Sequence, residues 1–148
     1  MDNNLICVLV KPNELPVKVA LDLDSFSTSL ECDNEDINDY CPFQKAPNIC
    51  LLYDDNAKKK DKLVNRAIYA DEDLGFFQKG QIIDIICGSF IVSKTNNNGE
   101  FVSLNDNEVS LYSDLFKSMD IDKRYTPISE QERLKEPVAL GLEYSFSR

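Results

Sequence analysis

The sequence predicts a small single-domain α+β protein, a mixed or antiparallel sheet with two to three helices packed on one face. Three observations carry that reading. Short apolar runs of strand length alternate with turn residues. One long segment has helical periodicity. A chain of 148 residues with 43% hydrophobic residues suffices for one core.

Leu5 to Val10 is an unbroken apolar run closed by Lys11-Pro12-Asn13, the pattern of a buried strand. Pro16 to Asp22 alternates Val17, Val19 and Leu21 with Lys18, Ala20 and Asp22, as a half-buried strand does. The short link predicts a hairpin. Phe26 and Leu30, four apart behind the capping candidates Asp24 and Ser25, predict a short helix. Glu31 to Asp39 holds five acids in nine residues and reads as an exposed loop or a site, and Ile37, Tyr40 and Phe43 fit a short strand or extended segment interrupted by Pro42 and Pro47. Asn48 to Tyr53 reads as a buried strand and Ala57 to Lys62 as a polar loop, whereas Leu63 to Tyr69 fits a helical turn or an extended segment equally. Gln81 to Ile86 and Ser89 to Ser93 read as strands around a bend at Gly88. Asn96 to Gly99 is a turn that makes residues 89–103 a hairpin. Asp106 to Met119 is the clearest helix. Asn105 and Glu108 form a capping box, and Val109, Tyr112, Leu115, Phe116 and Met119 share one face. A second capping box, Ser129 with Glu132, opens a short helix stopped by Pro137, and the tail from Val138 alternates like an edge strand or a docking segment. Residues 1–117 are therefore expected to form the core domain, and 118–148 a terminal helix and tail of the same domain or a docking extension.

Composition narrows the chemistry. The chain has no histidine, which removes histidine-based triads, general bases and metal sites. Its five cysteines, Cys7, Cys32, Cys41, Cys50 and Cys87, contain no C-x-x-C pair and read as free thiols, several inside apolar runs. No apolar run approaches the ~20 residues of a membrane span, and Met1 to Asn4 lacks the basic start of a secretory signal, so a cytoplasmic location without membrane contact is expected. No P-loop, dinucleotide fingerprint, nucleophile elbow or paired-carboxylate arrangement is present, and no cofactor is expected.

Charge is the other strong signal. The net charge is −10, distributed as −8 over residues 1–56, +4 over 57–70, −6 over 71–116 and zero beyond. Such a field repels nucleic acid and anionic membranes and favours cationic protein surfaces, although acidity alone also serves solubility. The candidate partner-binding carboxylates are Asp33, Glu35, Asp36, Asp39, Asp54, Asp55, Asp71, Glu72 and Asp73. The cluster from Glu31 to Asp39 fails a calcium loop, because Ile37 takes a ligand position and Asn38 the glycine position. Lys58-Lys59-Lys60 lacks interleaved aromatics and a glycine-rich loop, so it reads as a solvated loop and not as a phosphate grip. Asp84 interrupts an apolar strand, where a carboxylate is costly unless held. It is either a site with a raised pKa, a solvent-facing residue, or one member of a structural ion pair with Arg66, which lies in an apolar context of its own.

Between Asn48 and Lys117 the order of motifs resembles a family of small proteins of unknown function from phages, plasmids and integrated elements of low-GC Gram-positive bacteria. The stretches that carry the resemblance are Leu63-Val64-Asn65-Arg66-Ala67-Ile68-Tyr69, Gln81 to Val92 with its Gly88-Ser89-Phe90 ending, and Gly99-Glu100-Phe101-Val102-Ser103-Leu104-Asn105-Asp106 leading into the helix. The insert at Lys58 to Lys60, the heavy acidity of Glu31 to Asp39 and the tail from Asp120 depart from the pattern. The resemblance implies an accessory gene of a mobile element and transfers no catalytic residue. Joined to the charge, it leads to the expectation of a binding protein, most concretely an acidic inhibitor of a host defence nuclease such as a CRISPR effector or restriction enzyme. The rivals are an interaction module that docks through its C-terminal tail, and an enzyme using Asp84, Arg66 or a cysteine.

Overall fold

The computed structural model describes residues 4–73 and 77–119. Its frame is a six-stranded sheet in the order β2-β1-β7-β4-β3, with β8 attached to β7, and a separate two-stranded sheet of β5 and β6. Every pairing is antiparallel. The strands are β1 (Leu5–Val10), β2 (Val17–Leu21), β3 (Ile37–Tyr40), β4 (Ile49–Asp54), β5 (Val64–Tyr69), β6 (Ile82–Cys87), β7 (Phe90–Thr95) and β8 (Phe101–Val102), and the α-helices are α1 (Phe26–Leu30) and α2 (Asp106–Leu115).

The three central strands read as apolar on both faces because both faces are covered. Val8 and Val10 of β1, Ile49, Leu51 and Tyr53 of β4, and Phe90 and Val92 of β7 point to one side. There they meet Tyr112 and Phe116 at the α2 end of the chain and Ile68 and Ile86 from the small sheet. The alternate residues Cys7, Leu52 and Ile91 face the other side, under Phe26 and Leu30 of α1. The two helices thus lie on opposite faces of the sheet and do not share one. The small β5–β6 sheet packs Ile68 and Ile86 onto the same face as α2.

Most elements form where the local chemistry directs. The Asn105 side chain accepts from the Glu108 amide while the Glu108 carboxylate accepts from the Asn105 amide, closing both halves of the capping box. The apolar stripe of α2 is narrower than its periodicity predicts: Tyr112 and Phe116 are buried, but Leu115 is 49% exposed and Met119 37%. At α1 the cap sits earlier than expected. Asp22, not Asp24 or Ser25, accepts from the Ser25 amide and hydroxyl, starting a 3-10 turn over Leu23–Ser25 that runs into the helix. Leu63 to Tyr69, ambiguous in sequence, is extended from Val64 onward. The predicted helix after Ser129 and the terminal tail lie outside the described residues.

Candidate functional site

The residues that looked most like chemistry in the sequence serve as fasteners. Asn65 and Arg66 are both buried. Asn65 Nδ2 donates to Val10 O at 2.9 Å and Gly88 O at 2.8 Å. Arg66 Nη1 donates to Asn65 Oδ1 at 2.7 Å, Nη2 to Glu14 O at 2.6 Å, and Nε to Phe116 O at 2.9 Å. The pair ties together the β1–β2 turn, the end of β1, the bend after β6 and the last turn of α2. The exposed C-terminal carbonyls of a helix carry partial negative charge, so Phe116 O is a favourable partner for a cation. Burial lowers the Arg66 pKa, but a guanidinium keeps its proton at any physiological pH.

The ion pair expected between Arg66 and Asp84 is not formed. Asp84 is 4% exposed. Its Oδ2 accepts from Tyr40 Oη at 3.3 Å and its Oδ1 from the Ile85 amide at 2.8 Å. Tyr40 stands edge-on to Tyr53, with ring centres 5.7 Å apart. Beside Asp84 lies a cavity of about 20 Å³, bounded also by Lys58, Tyr53, Asp55 and Cys87. Lys58 Nζ is buried and has no hydrogen-bond partner among the described residues. The cavity has room for a water molecule and no more, so it cannot admit a substrate.

The nine candidate carboxylates separate into two kinds. Asp54 is 2% exposed and is removed from the candidate surface. It receives Lys60 Nζ at 3.0 Å, Lys62 Nζ at 2.8 Å and the Asn56 amide at 2.9 Å. Burial alone would raise its pKa, but these bonds from Lys62, Lys60 and Asn56 prevail and lower it. Asp36, partly buried, accepts from Asn56 and from Lys60 Nζ. Asp71 accepts from the amides of Gln44 and Lys45, and those bonds overcome its desolvation to lower its pKa. Asp73 accepts from the Lys79 amide.

Asp33, Glu35, Asp39, Asp55, Glu72 and Asp73 are exposed. The first four gather around β3, an edge of the large sheet. Asp33 and Glu35 lie on the turn that enters the strand, Asp39 projects from it, and Asp55 follows its neighbour β4. The Asp55 amide donates to Asp36 O at 2.8 Å, binding the two acidic segments together. Glu72 stands with Asp71, which is anchored to the loop following β3.

The lysines behind this edge are engaged in the fold. Lys60 bridges Asp36 and Asp54. Lys62 caps α1 by donating to Leu30 O and Glu31 O, and also meets Asp54. A cleft of about 570 Å³ lies beside them, and its rim mixes Lys11, Lys60 and Lys62 with Glu14, Glu31 and Asp61. Its charges balance, which gives it no preference for phosphate. Among the described residues no cluster of cysteine, aspartate or glutamate is arranged to hold a metal ion, and no helix is long and apolar enough to cross a membrane. Burial raises the thiols of Cys7 (to about 11), Cys32 and Cys87, so all three are protonated at neutral pH.

Sequence reasoning missed the Asp54–Lys60–Lys62 bridge and the carbonyl-binding role of Arg66. Asp54 opens an Asp54-Asp55-Asn56 turn pattern, and only its pairing opposite Ile37 shows that it ends a buried strand.

Residues 5–117 match the family described as a domain of unknown function (DUF3846), and the chain belongs to that family. No curated protein and no solved structure matches the chain.

Proposed function

We propose that this family member works by binding, and that its recognition surface is the acidic edge around β3. The observation that carries the reading is the separation of the carboxylates. Asp36 and Asp54 are consumed in ion pairs that fix the backbone, while Asp33, Glu35, Asp39 and Asp55 are left exposed on that fixed backbone. Rigidly placed like charges lose little freedom on binding and repel one another until a cation arrives. A cationic protein surface is the partner that suits them, and neither nucleic acid nor a membrane does. Short, charged edge strands also deter sheet-to-sheet aggregation, which is the bland explanation of the same feature.

The most specific form of the proposal is an accessory protein of a phage or other mobile element, acting in the bacterial cytoplasm. There it would inhibit a host defence nuclease by occupying its basic nucleic-acid channel. The support is the charge and the family resemblance. Competition of that kind weakens as salt rises.

The test is a pull-down from a Gram-positive host lysate at low and high salt, with the native chain and with a variant carrying Asp33→Lys, Glu35→Lys, Asp39→Lys and Asp55→Lys. The native bait is expected to capture a basic nuclease that salt releases and to inhibit its cleavage of DNA, and the variant to bind it about tenfold or more weakly at unchanged circular dichroism. Equal capture and equal inhibition by both baits would remove the acidic edge as the recognition surface.

A further inference from the structure

Cys41 and Cys50 stand opposite each other across β3 and β4. The register pairs Ile37 with Asp54, Asn38 with Tyr53, Asp39 with Leu52 and Tyr40 with Leu51. One step further sets Cys41 against Cys50. Directly opposed residues of an antiparallel pair have Cα atoms about 4.5–5.5 Å apart, inside the range that a disulfide spans. The sulfurs themselves are 2.6 Å apart, longer than an S–S bond and closer than two unbonded sulfurs ordinarily stand, and both are free thiols. Cys41 is exposed and Cys50 is buried, so one thiol is open to a reagent and the other is shielded behind it. Cys7, Cys32 and Cys87 are also free thiols.

We propose that Cys41 and Cys50 form a reversible disulfide when the protein meets a peroxide, and that the bond clamps the acidic edge strand to the sheet. The step balances. The Cys41 thiol loses its proton, the thiolate attacks a peroxide oxygen, the O–O bond breaks, and a sulfenic acid forms while the other oxygen leaves as hydroxide and takes up that proton to give water. The Cys50 thiolate then attacks the Cys41 sulfur, forming the S–S bond and expelling hydroxide, which takes up a proton to give a second water. Two thiols are oxidised by two electrons, and the peroxide is reduced. A small thiol reverses the bond by exchange.

The pair is placed to react slowly and to hold firmly. Desolvation of its sulfur, the Cys50 contact and the charge of Asp39 push the Cys41 pKa up, so little thiolate exists at neutral pH. The rate of closure therefore rises as pH rises into the alkaline range. Once closed, the link joins positions that β-pairing already holds together, so no strand has to move. The inference is independent of what, if anything, the acidic edge binds.

The experiment treats the full chain with hydrogen peroxide, unfolds it in denaturant, blocks remaining thiols with an alkylating agent, and reads intact mass and a non-reducing digest with trypsin and an aspartate-specific protease. Trypsin cuts after Lys45, between Cys41 and Cys50, and a second cleavage before Asp33, Asp36 or Asp39 parts Cys41 from Cys32, so the link appears as two joined peptides that name both partners. The expected result is loss of two hydrogens, with two of the five cysteines refractory to alkylation and Cys41 joined to Cys50. Cys41→Ser, a change at an exposed position, abolishes the link. Hydrogen exchange at Ile37–Tyr40 slows in the oxidised protein and recovers with a thiol reductant. Sulfinic acid at Cys41 without a link, a link involving Cys32 instead, or five alkylatable thiols would overturn the pairing. Unchanged exchange in a linked protein would overturn the clamp.

Discussion

Arg66 shows how a residue is read correctly for burial and wrongly for partner. Its apolar neighbours announce that it is inside, and a buried guanidinium must be satisfied. Local sequence does not say by what. The acceptors are carbonyls of Glu14 and Phe116, contributed by segments about fifty residues away on either side. Backbone carbonyls have no residue identity, so no pattern of side chains foretells them. A lysine would keep the charge but lacks the planar fork that reaches Phe116, Asn65 and Glu14 together. Arg66→Lys should lower stability by about 2–3 kcal/mol, and Arg66→Ala by at least about 3 kcal/mol, measured as a fall in the urea midpoint. A neutral result for both would show that the carbonyls do not depend on it. Asp84 has the same lesson in smaller form, since its tyrosine partner comes from an edge strand forty-four residues earlier.

At the level of elements, the sequence was legible wherever periodicity and turn residues agreed. The β1–β2 hairpin, β4, the β7–β8 hairpin around Asn96–Gly99 and the capped helix α2 all declare themselves locally. Strand β5 did not, because LVNRAIY satisfies two periods at once and only its pairing with β6 decides. Nor could the alternation reveal which face each helix would cover. Gly88 is the element-scale device that the resemblance flagged and the structure explains. It has φ +73°, and the chain there leaves the small sheet and enters the large one. A Cβ at Gly88 would stand 2.9 Å from Lys62 Cδ, on the side chain that reaches Asp54. Gly99 has a similar φ of +78° with nothing within 4 Å, so it isolates the backbone cost. Gly88→Ala should lower the melting temperature by about 4–10 °C, and more than Gly99→Ala does. Equal losses would show that the Lys62 contact is irrelevant.

For the whole molecule, net charge could be counted from the sequence, but its division into working and exposed carboxylates could not. Asp54 and Asp55 are adjacent and chemically alike, yet one is sealed beneath two lysines and the other is exposed. The buried kind sets the acid sensitivity. Asp54 and Asp71 both titrate lower in the folded protein than in the unfolded chain. A depressed carboxylate contributes stability that is fully present above the unfolded value, near 4, and is lost as pH falls through that value toward the folded one. Thermal stability should therefore hold from neutrality to about pH 5 and decline below it. Asp54→Asn should start lower at pH 7, by about 2–4 kcal/mol, and show a shallower decline. Parallel acid limbs for the two proteins would dissociate the bridge from the effect.

The central position of β7 sets a timetable for synthesis. Val8 in the first strand finds its partner Val92 in the seventh, and β4 also waits for β7 on its other edge. At about 5–20 residues per second, the opening hairpin spends on the order of ten seconds outside the ribosome before its missing neighbour is made. During that interval α1 can cover one face, but the face carrying Val8 and Val10 lacks the later segments that bury it. Nascent chains of this protein should therefore depend on holding chaperones until the middle of the sheet emerges, and a ribosome stalled before Phe90 would display an incomplete sheet.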